Sequence, residues 1–291
     1  MATILDGKIL SQNIRESLKT AVATVSPKPG LAVVLVGSDA GSVVYVANKE
    51  KACKEIGYVS KKIVLPETVS EETLLATINE LNTDTTIHGI LVQFPLPEQL
   101  HHLEERIMQL IRPEKDVDGF HPYTVGTFMT CRGPMCEDQF LPCTPAGIME
   151  LLHAYHIPIA GKHAVVLGRS NLVGKPVAML LLGENATVTI CHSKTENIQE
   201  ITKQADILIA AIGKANVVDA SYVKEGAVVI DAGINRDNGK ITGDVDYASV
   251  SPIASAITPV PGGVGPMTIA MLMKNVWKAY LHQTRREETK V

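Results

Sequence analysis

The stretch Lys162–Leu182, "KHAVVLGRSNLVGKPVAMLLL", decides the fold of the second half of the chain. Its apolar beginning predicts a buried strand, and Gly168 predicts a tight turn after that strand. A helix is predicted to begin near Gly174 and Pro176, since proline early in a helix lacks only an N–H that would be unpaired there. The stretch therefore predicts a strand–turn–helix unit, with Ser170 in a turn that is otherwise rich in glycine.

This turn has the context of a dinucleotide site, because the free N–H groups and the dipole of a helix start favour a phosphate. The next strand, 187–192, ends in His192, and Ser193 and Lys194 follow it. An NAD site normally carries an acidic residue there to bind the ribose hydroxyl. Donors and positive charge, together with Arg169, favour the 2'-phosphate of NADP instead. The alternative is an ordinary turn that binds no cofactor.

Short runs of β-branched residues alternate with helical patterns along the whole chain. Strands that are apolar on both faces and separated by helices predict parallel sheets covered on both sides. The fold class is therefore α/β. The predicted strands are 31–37, 61–65, 88–94, 163–168, 187–192, 205–213 and 226–233.

The length of 291 residues favours two domains. The segment 120–145, "FHPYTVGTFMTCRGPMCEDQFLPCTP", loses periodicity and collects glycine and proline, so we place the domain boundary there. We predict one domain over 1–141, completed by a C-terminal helix over 267–291. The second domain, over 142–266, is predicted to be a Rossmann unit.

Composition excludes several classes of protein. The net charge of −4 argues against a protein that neutralises nucleic-acid phosphates, so no nucleic-acid partner is expected. No apolar run approaches the ~18 residues of a membrane span, and no signal peptide is evident, so we expect a cytoplasmic protein without a membrane partner.

No metal site is expected either. His153 and His156 lie three residues apart on a predicted helix, but no third ligand is suggested nearby. The five cysteines form no CxxC pair, which favours buried or incidental thiols over a disulfide framework or a zinc site. They are Cys53, Cys131, Cys136, Cys143 and Cys191.

A lysine stands on the apolar face of the helix predicted over 42–58, with Ser42 as its N-cap and Gly57 at its end. That face carries Tyr45, Lys49, Ala52, Cys53 and Ile56. Lys49 either extends its ammonium to water, or is desolvated with a lowered pKa that suits a general base or proton relay. Tyr45 offers a ring on which a flat ligand can stack.

Three further polar side chains lie at the end of a predicted strand or in a loop. Gln93 lies near the carboxyl end of the buried strand predicted over 88–94, where ligands bind in open α/β sheets. Asp116 and Asp118 lie in the loop "PEKDVDGFHP", for which an Asx-type turn is the alternative to a ligand contact.

Eight motifs, in order along almost the whole chain, resemble those of the bifunctional methylenetetrahydrofolate dehydrogenase/cyclohydrolase family. One such motif is weak, but eight at family-like spacing are very specific. They are "YVANKEKACKEIG", "HGILVQFPLP", "PEKDVDGFHP", "PCTPAGIMELL", "GRSNLVGKPVAMLL", "CHSKT", "DAGIN" and "PVPGGVGPMT".

The resemblance implies an N-terminal catalytic domain that binds a folate, a C-terminal NADP-binding domain, a cleft between them, and a homodimer. It implies oxidation of 5,10-methylenetetrahydrofolate by NADP, followed by hydrolysis to 10-formyltetrahydrofolate in one-carbon metabolism. The family's turn has this G-R-S form, so Ser170 is not an anomaly.

Position by position, the resemblance also implies site residues. For catalysis these are Tyr45, Lys49, Gln93 and Asp118, with Tyr45 stacking on the substrate, Gln93 partnering Lys49 and Asp118 bonding the pterin. For the cofactor they are Gly168, Arg169, Ser170, Ser193 and Ile234. The substrate pocket would add Val92, Phe94, Pro261, Gly262, Gly263, Val264 and Gly265.

Two other functions are open. A different NADP oxidoreductase with shikimate-dehydrogenase-like architecture would explain the second half, but leaves Tyr45 and Lys49 without a role. A non-enzymatic NADP-binding sensor would explain less, and would tolerate Lys49→Ala.

Overall fold

The computed structural model describes residues 2–130, 138–237 and 239–288. Cys131 and Cys136, expected to be incidental thiols, lie outside these residues. The chain forms two compact units. The six-stranded unit comprises Met1–Gln12 and Pro142–Met271, and the three-stranded unit comprises Asn13–Leu141 and Leu272–Val291.

Strands and helices alternate through the described residues, so the predicted α/β class is confirmed. The strands are β1 (Thr3–Ile4), β2 (Gly30–Val36), β3 (Val59–Leu65), β4 (Gly89–Val92), β5 (His163–Leu167), β6 (Thr187–Cys191), β7 (Ile207–Ala210), β8 (Val228–Asp231), β9 (Asn235–Asp237), β10 (Lys240–Thr242) and β11 (Ala256–Ile257). The helices are α1 (Gly7–Ala23), α2 (Ala40–Ile56), α3 (Glu71–Thr83), α4 (Glu104–Leu110), α5 (Pro122–Thr130), α6 (Cys143–Ala154), α7 (Gly174–Gly183), α8 (Ile198–Thr202), α9 (Tyr247–Val250) and α10 (Val264–Glu288).

The three-stranded unit is built on a parallel sheet in the order β3-β2-β4. Every residue of the central strand β2 is buried. The edge strand β3 is exposed along most of its length, so the expectation that it is apolar on both faces was wrong. An edge strand has a neighbour on one side only, which leaves more of its surface in water.

Helix α2 begins one turn earlier than the sequence predicted. Its N-cap is Asp39, whose Oδ2 accepts from the backbone N–H of Ser42 at 2.8 Å, so Ser42 is not the cap. The carboxylate of Asp39 satisfies a donor that the first turn of the helix would otherwise leave unpaired. The helix ends as predicted at Gly57, which adopts a left-handed conformation with φ 92°.

The six-stranded unit holds a parallel sheet in the order β1-β11-β8-β7-β5-β6, with a separate antiparallel hairpin of β9 and β10. The four strands predicted in this half are β5 to β8. The sequence did not predict β1 and β11, which pair with each other over two residues. Because β1 belongs to this sheet, residues 1–12 group with 142–271 and not, as predicted, with the first domain.

Two helices differ from the sequence prediction. α10 begins at Val264 and not at residue 267, since Pro266 is tolerated in a first turn, where no N–H is required. α5 lies within the segment 120–145, which was predicted to lack periodic structure. None of the described helices has the length and hydropathy that a bilayer crossing requires.

The chain reverses its direction of travel across the larger sheet at β5. It passes from β5 to β6 on one side and then to β7 on the other. Open α/β sheets bind ligands at such a switch point, outside the carboxyl ends of the strands. The glycine turn that follows β5 is therefore at the position where a ligand is expected.

Candidate active site

The three-stranded unit brings Lys49 and Gln93 together. Lys49 lies on α2 and donates from Nζ to Oε1 of Gln93 at 2.9 Å. Gln93 directly follows β4, as predicted, and its Nε2 donates to the carbonyl of Phe94 at 2.7 Å. The side-chain amide is thus fixed with its oxygen toward Lys49.

The predicted apolar face of α2 is only partly buried in the core. Ala52, Cys53 and Ile56 are buried, whereas Tyr45 and Lys49 are half-buried. The polar head of a lysine is costly to bury, and half-burial lets it act at a surface. Tyr45 and Lys49 lie one turn apart on the same helix, at the boundary between core and solvent.

The loop after Lys115 separates the roles of two aspartates. Asp116 is buried and organises the loop: its Oδ1 accepts from the backbone of Gly119 and Phe120 at 3.1 and 3.2 Å, and its Oδ2 from His121 at 2.8 Å. The turn foreseen for this loop is therefore made by Asp116. Asp118 is left half-buried.

Asp118 and Lys49 are electrostatically coupled. Burial raises the pKa of Asp118 from 3.8 to about 6, the positive charge of Lys49 opposes that rise, and Asp116 adds to it. A carboxyl that titrates near neutral pH beside a lysine held by an amide is a set of groups suited to proton transfer.

Two neighbours of Gln93 were also predicted to contact a ligand. Val92 is 3% exposed and packs in the hydrophobic core of the unit, and Phe94 packs partly buried against the same core. Their contact with a ligand stays a prediction.

The turn after β5 requires glycine at its first position. Gly168 has φ +127°, and an added Cβ would overlap the carbonyl oxygen of Ala211. Its N–H donates to the carbonyl of Cys191 at 2.9 Å. Since Leu167 is also paired with Cys191 in the sheet, the ends of β5 and β6 lie side by side.

Ser170 holds the start of α7. Its Oγ accepts from the backbone of Val173 at 3.1 Å and Gly174 at 3.3 Å, and its carbonyl accepts from Lys175 at 3.1 Å. The expectation of free N–H groups at this helix start was therefore wrong, because Ser170 engages them and Pro176 has none. In both side-chain contacts the hydroxyl oxygen of Ser170 is the acceptor. A hydroxyl can accept and donate at once, so these two contacts do not use its hydrogen.

The turn after β6 exposes polar groups at the same edge. Backbone and side-chain bonds between His192 and Thr195 close it, with the N–H of His192 donating to Oγ1 of Thr195 at 2.9 Å. Ser193 and Lys194 are exposed at its tip, and Arg169 is exposed on the neighbouring turn. Two cationic side chains and a hydroxyl at adjacent strand ends suit a phosphate monoester.

Ile234 and the predicted substrate loop lie in the same unit. Ile234 is 47% exposed, and its Cδ1 lies 3.9 Å from the position of a Cβ on Gly265. Gly262 has φ +118°, which favours glycine. Of the predicted loop, Pro261 is exposed, Gly263 is buried, and Val264 and Gly265 belong to the first turn of α10.

Two buried aspartates near Ile234 were missed by the sequence analysis. Asp231 ends β8, and burial raises its pKa to about 6, against the hydrogen bonds that it accepts from Val245, Asp244 and Gly233. Asp244 is fully buried. An aspartate that ends an apolar run, as in "AVVID", is a signal that could have found the first of the two.

Among the described residues, no group of His, Cys, Asp and Glu side chains could hold a metal ion. His153 lies 2.7 Å from a carboxylate oxygen of Glu184. The described cysteines, Cys53, Cys143 and Cys191, are buried and are not in disulfide bonds.

Comparison with known proteins relates both units to one family. Residues 5–118 match the catalytic domain, and residues 142–284 the NAD(P)-binding domain, of tetrahydrofolate dehydrogenase/cyclohydrolase. The chain is 57% identical to the bifunctional protein FolD of Halalkalibacterium halodurans over 281 residues, which cover 96% of this chain and 98% of that protein.

Solved structures give the same relationship. The bifunctional FolD dehydrogenase/cyclohydrolase of Campylobacter jejuni is 49% identical, with a TM-score of 0.91, and covers 97% of this chain and 100% of its own. The Trypanosoma brucei FolD structure, complexed with NADP cofactor and inhibitor, is 36% identical, with a TM-score of 0.91 over 98% of this chain and 99% of its own.

Proposed function

The chain belongs to the tetrahydrofolate dehydrogenase/cyclohydrolase family, and we propose that it oxidises 5,10-methylenetetrahydrofolate with NADP and hydrolyses the methenyl product to 10-formyltetrahydrofolate. The observation that carries this proposal is the contact of 2.9 Å between Lys49 Nζ and Gln93 Oε1, with the coupled carboxyl of Asp118 beside it. Lysine, amide and carboxyl together supply the proton transfers that hydrolysis requires.

The turn after β5 fits a dinucleotide phosphate, since glycine at 168 lets backbone approach closely where a Cβ would overlap Ala211. Gly168 and Ser170 would hold the diphosphate side of NADP, and Arg169 and Ser193 would bind its 2'-phosphate. Ile234 would pack near the nicotinamide. When bound, NADP supplies the carbon that accepts a hydride.

In the oxidation step the chain's own residues bind and orient the folate and the cofactor, and they exclude water. No proton moves at the methylene carbon when a hydride leaves it. The step therefore needs no general base, and Tyr45 contributes by stacking on the folate. Asp118 would hydrogen-bond the pterin, and Val92, Phe94 and the segment Pro261–Gly265 would line the substrate pocket.

The hydrolysis step does need proton transfer. Water adds to the methenyl carbon, loses a proton, and the ring opens as a nitrogen of the folate takes up a proton. Lys49 is held by Gln93 at a fixed point and is the group that would move these protons. The two half-reactions thus place different demands on the same side chains.

The alternative functions leave observations without a role. A shikimate-type oxidoreductase gives no reason for the bond between Lys49 and Gln93. An NADP-binding sensor gives no reason for Tyr45 at the surface of the same helix. Neither alternative is favoured by the comparisons, which relate both units to folate enzymes.

A spectrophotometric assay with methylenetetrahydrofolate tests the proposal directly. Purified protein is supplied with NADP or with NAD, and reduced nicotinamide and methenyl product are followed together. The expected result is reduction with NADP and little methenyl accumulation. Absence of reduction with either cofactor would overturn the proposal, and binding of NADP without turnover would favour the sensor.

We also propose that the chain acts as a homodimer. Within the described residues β3 pairs on one side only, with β2, and Val59 and Val64 on it are 52% and 57% exposed. Such an edge is a template for pairing with another chain. Light scattering coupled to size exclusion should give twice the chain mass, and Val64→Lys should shift the protein toward the monomer; a monomeric wild type would refute the proposal.

A further inference from the structure

Two buried aspartates of the six-stranded unit, Asp231 and Asp244, hold two loops together. An added Cβ on Gly243 would overlap a carboxylate oxygen of Asp231, and an added Cβ on Gly233 would overlap one of Asp244. Each carboxylate thus fills the space beside the glycine of the other segment. The ends of the β9–β10 hairpin are held together by this reciprocal packing.

Asp244 is the acceptor that two separate segments share. Its Oδ2 accepts from the backbone of Ile212 at 2.6 Å and Gly213 at 2.9 Å. Its Oδ1 accepts from the backbone of Lys214 at 3.0 Å and from Nδ2 of Asn235 at 2.9 Å. Four donors satisfy both oxygens, and the side chain is 0% exposed.

These segments lie at the carboxyl ends of the parallel strands. Ile212 follows Ala211, and the carbonyl of Ala211 is the atom against which Gly168 packs. Ile234 stands between Gly233, which contacts Asp244, and Asn235, which donates to it. Asp244 therefore connects the segment that packs against Gly168 to the exposed Ile234.

We infer that Asp244 is a positioning residue for the dinucleotide: by holding residues 212–214 and Asn235, it fixes the glycine turn and Ile234 at the spacing that NADP requires. The inference rests on the proposed function. Asp244 does not touch the cofactor, since it is buried among protein donors. Asp231 supports the arrangement by accepting from the backbone of Asp244 at 3.0 Å.

Asp244→Asn is the direct test, because asparagine keeps the shape and loses acceptor capacity. Either orientation of the amide turns its NH₂ group toward two donors. We expect the Kd for NADP, measured by fluorescence titration, to rise about tenfold, since hydrogen bonds to charged groups are the strong ones. Hydrolysis of methenyltetrahydrofolate, assayed without cofactor, should stay within about twofold of wild type, whereas a general loss of folding would reduce it equally.

Asp246→Asn is the matched control. Asp246 lies two residues further on and precedes α9 without capping it through its side chain. The same chemical change there should leave the Kd for NADP unaltered. A Kd that is also unaltered in Asp244→Asn, or a hydrolysis rate that falls as far as NADP affinity, would overturn the inference.

Asn235→Ala decides the matter if Asp244→Asn does not fold. It removes one of the four donors and leaves the carboxylate in place. A smaller rise in the Kd for NADP with hydrolysis retained supports the inference, and an unchanged Kd overturns it. The readout is binding and does not depend on turnover. If the wild type bound NADP without turnover, the proposed function would be refuted, but the change in Kd in the Asp244 variant would still test the inference.

Discussion

The Nζ atom of Lys49 lies 2.9 Å from Oε1 of Gln93, a residue 44 positions away in the sequence. Two hydrogen bonds fix the position of Gln93. Its Nε2 donates to the backbone carbonyl of Phe94, and its backbone N–H donates to the carbonyl of Val34. The amide therefore offers its oxygen, and not its NH₂ group, to the ammonium. Lys49 is held at one point on the surface of its unit, where a free lysine would sample many rotamers.

Lys49→Met should remove cyclohydrolase activity more completely than dehydrogenase activity. Methionine keeps most of the length of the side chain but cannot transfer a proton. We expect hydrolysis to fall at least about 100-fold, the usual contribution of a positioned acid or base, and oxidation to fall less than about tenfold. The two rates are measured separately, as loss of methenyl absorbance and as formation of reduced nicotinamide.

Lys51→Met is the control for this prediction. Lys51 lies on the same helix with its side chain 76% exposed and 3.9 Å from Glu55. Both activities should survive that change. Equal loss of both activities in Lys49→Met would contradict the division of labour between the two steps.

Gln93→Ala should impair hydrolysis by removing the acceptor that holds Lys49. Hydrogen bonds to charged groups contribute ~1.5–3 kcal/mol, so a loss of about tenfold or more in kcat for hydrolysis is expected, with a smaller loss for oxidation. Gln99→Ala is the matched control, since Gln99 is exposed and donates to the backbone carbonyl of Glu67. Hydrolysis at the wild-type rate in Gln93→Ala would show that Lys49 needs no partner.

Much of the fold was predictable because its strands and helices carry strong local patterns. The buried runs became β2, β4 and β5 to β8, and Gly57 ended α2 as expected. β1 and β11 were not predictable, since two residues carry no periodicity and their pairing depends on a tertiary contact. The N-cap of α2 was misplaced because Asp39 and Ser42 are both residues that favour that position.

The candidate site was predictable by position and not by geometry. Helical spacing placed Lys49, and the end of an apolar run placed Gln93, but no pattern gives the distance between them. Asp231 also ends an apolar run and could have been found in that way, but Asp244 lay beyond such reasoning, since its contacts form only when the β9–β10 hairpin brings residues 13 positions apart together. The bonds that Ser170 accepts could likewise not be predicted from its identity alone.

Ser170→Ala should weaken both the fold and cofactor binding. The amides of Val173 and Gly174 lose their acceptor, which should lower the free energy of unfolding by about 1 kcal/mol, as for the loss of a helix cap. The Kd for NADP should rise as the turn loosens. Ser193→Ala is the comparison: Ser193 is exposed, so NADP affinity should fall there without a change in the urea midpoint. An unchanged midpoint in Ser170→Ala would refute the capping role.

Ser193→Asp should shift the preference for cofactor from NADP toward NAD. A carboxylate at the end of β6 accepts from a ribose hydroxyl and repels a 2'-phosphate. The ratio of kcat/KM for NADP to that for NAD should fall at least about tenfold, as for one charged contact. Thr187→Asp, at the opposite end of the same strand, adds the same charge where no cofactor contact is expected and should leave the ratio unchanged. A fall in both variants would point to net charge and not to a 2'-phosphate site.

Asp118→Asn should alter the dependence of stability on pH. The pKa of Asp118 is about 6 in the folded protein, against an ordinary 3.8, so the folded state binds this proton more tightly than the unfolded state. Its stabilising contribution is complete below about pH 4 and is lost as pH rises through 6. Asparagine does not titrate, so the free energy of unfolding of the variant relative to wild type should rise by about 2 kcal/mol between pH 4 and pH 7.

Urea unfolding at several pH values measures this difference, and Asp84→Asn gives the opposite sign as its control. Bonds from Thr86 and Lys61 lower the pKa of Asp84 to about 2, so its contribution is present above pH 4 and is lost as pH falls toward 2. Asp84→Asn should therefore be less stable than wild type at pH 7 and approach it in acid. If the relative stability of Asp118→Asn did not change between pH 4 and pH 7, the pKa of Asp118 would be that of an ordinary surface carboxyl, and its role as a carboxyl that titrates near neutral pH in the proton-transfer site would be refuted.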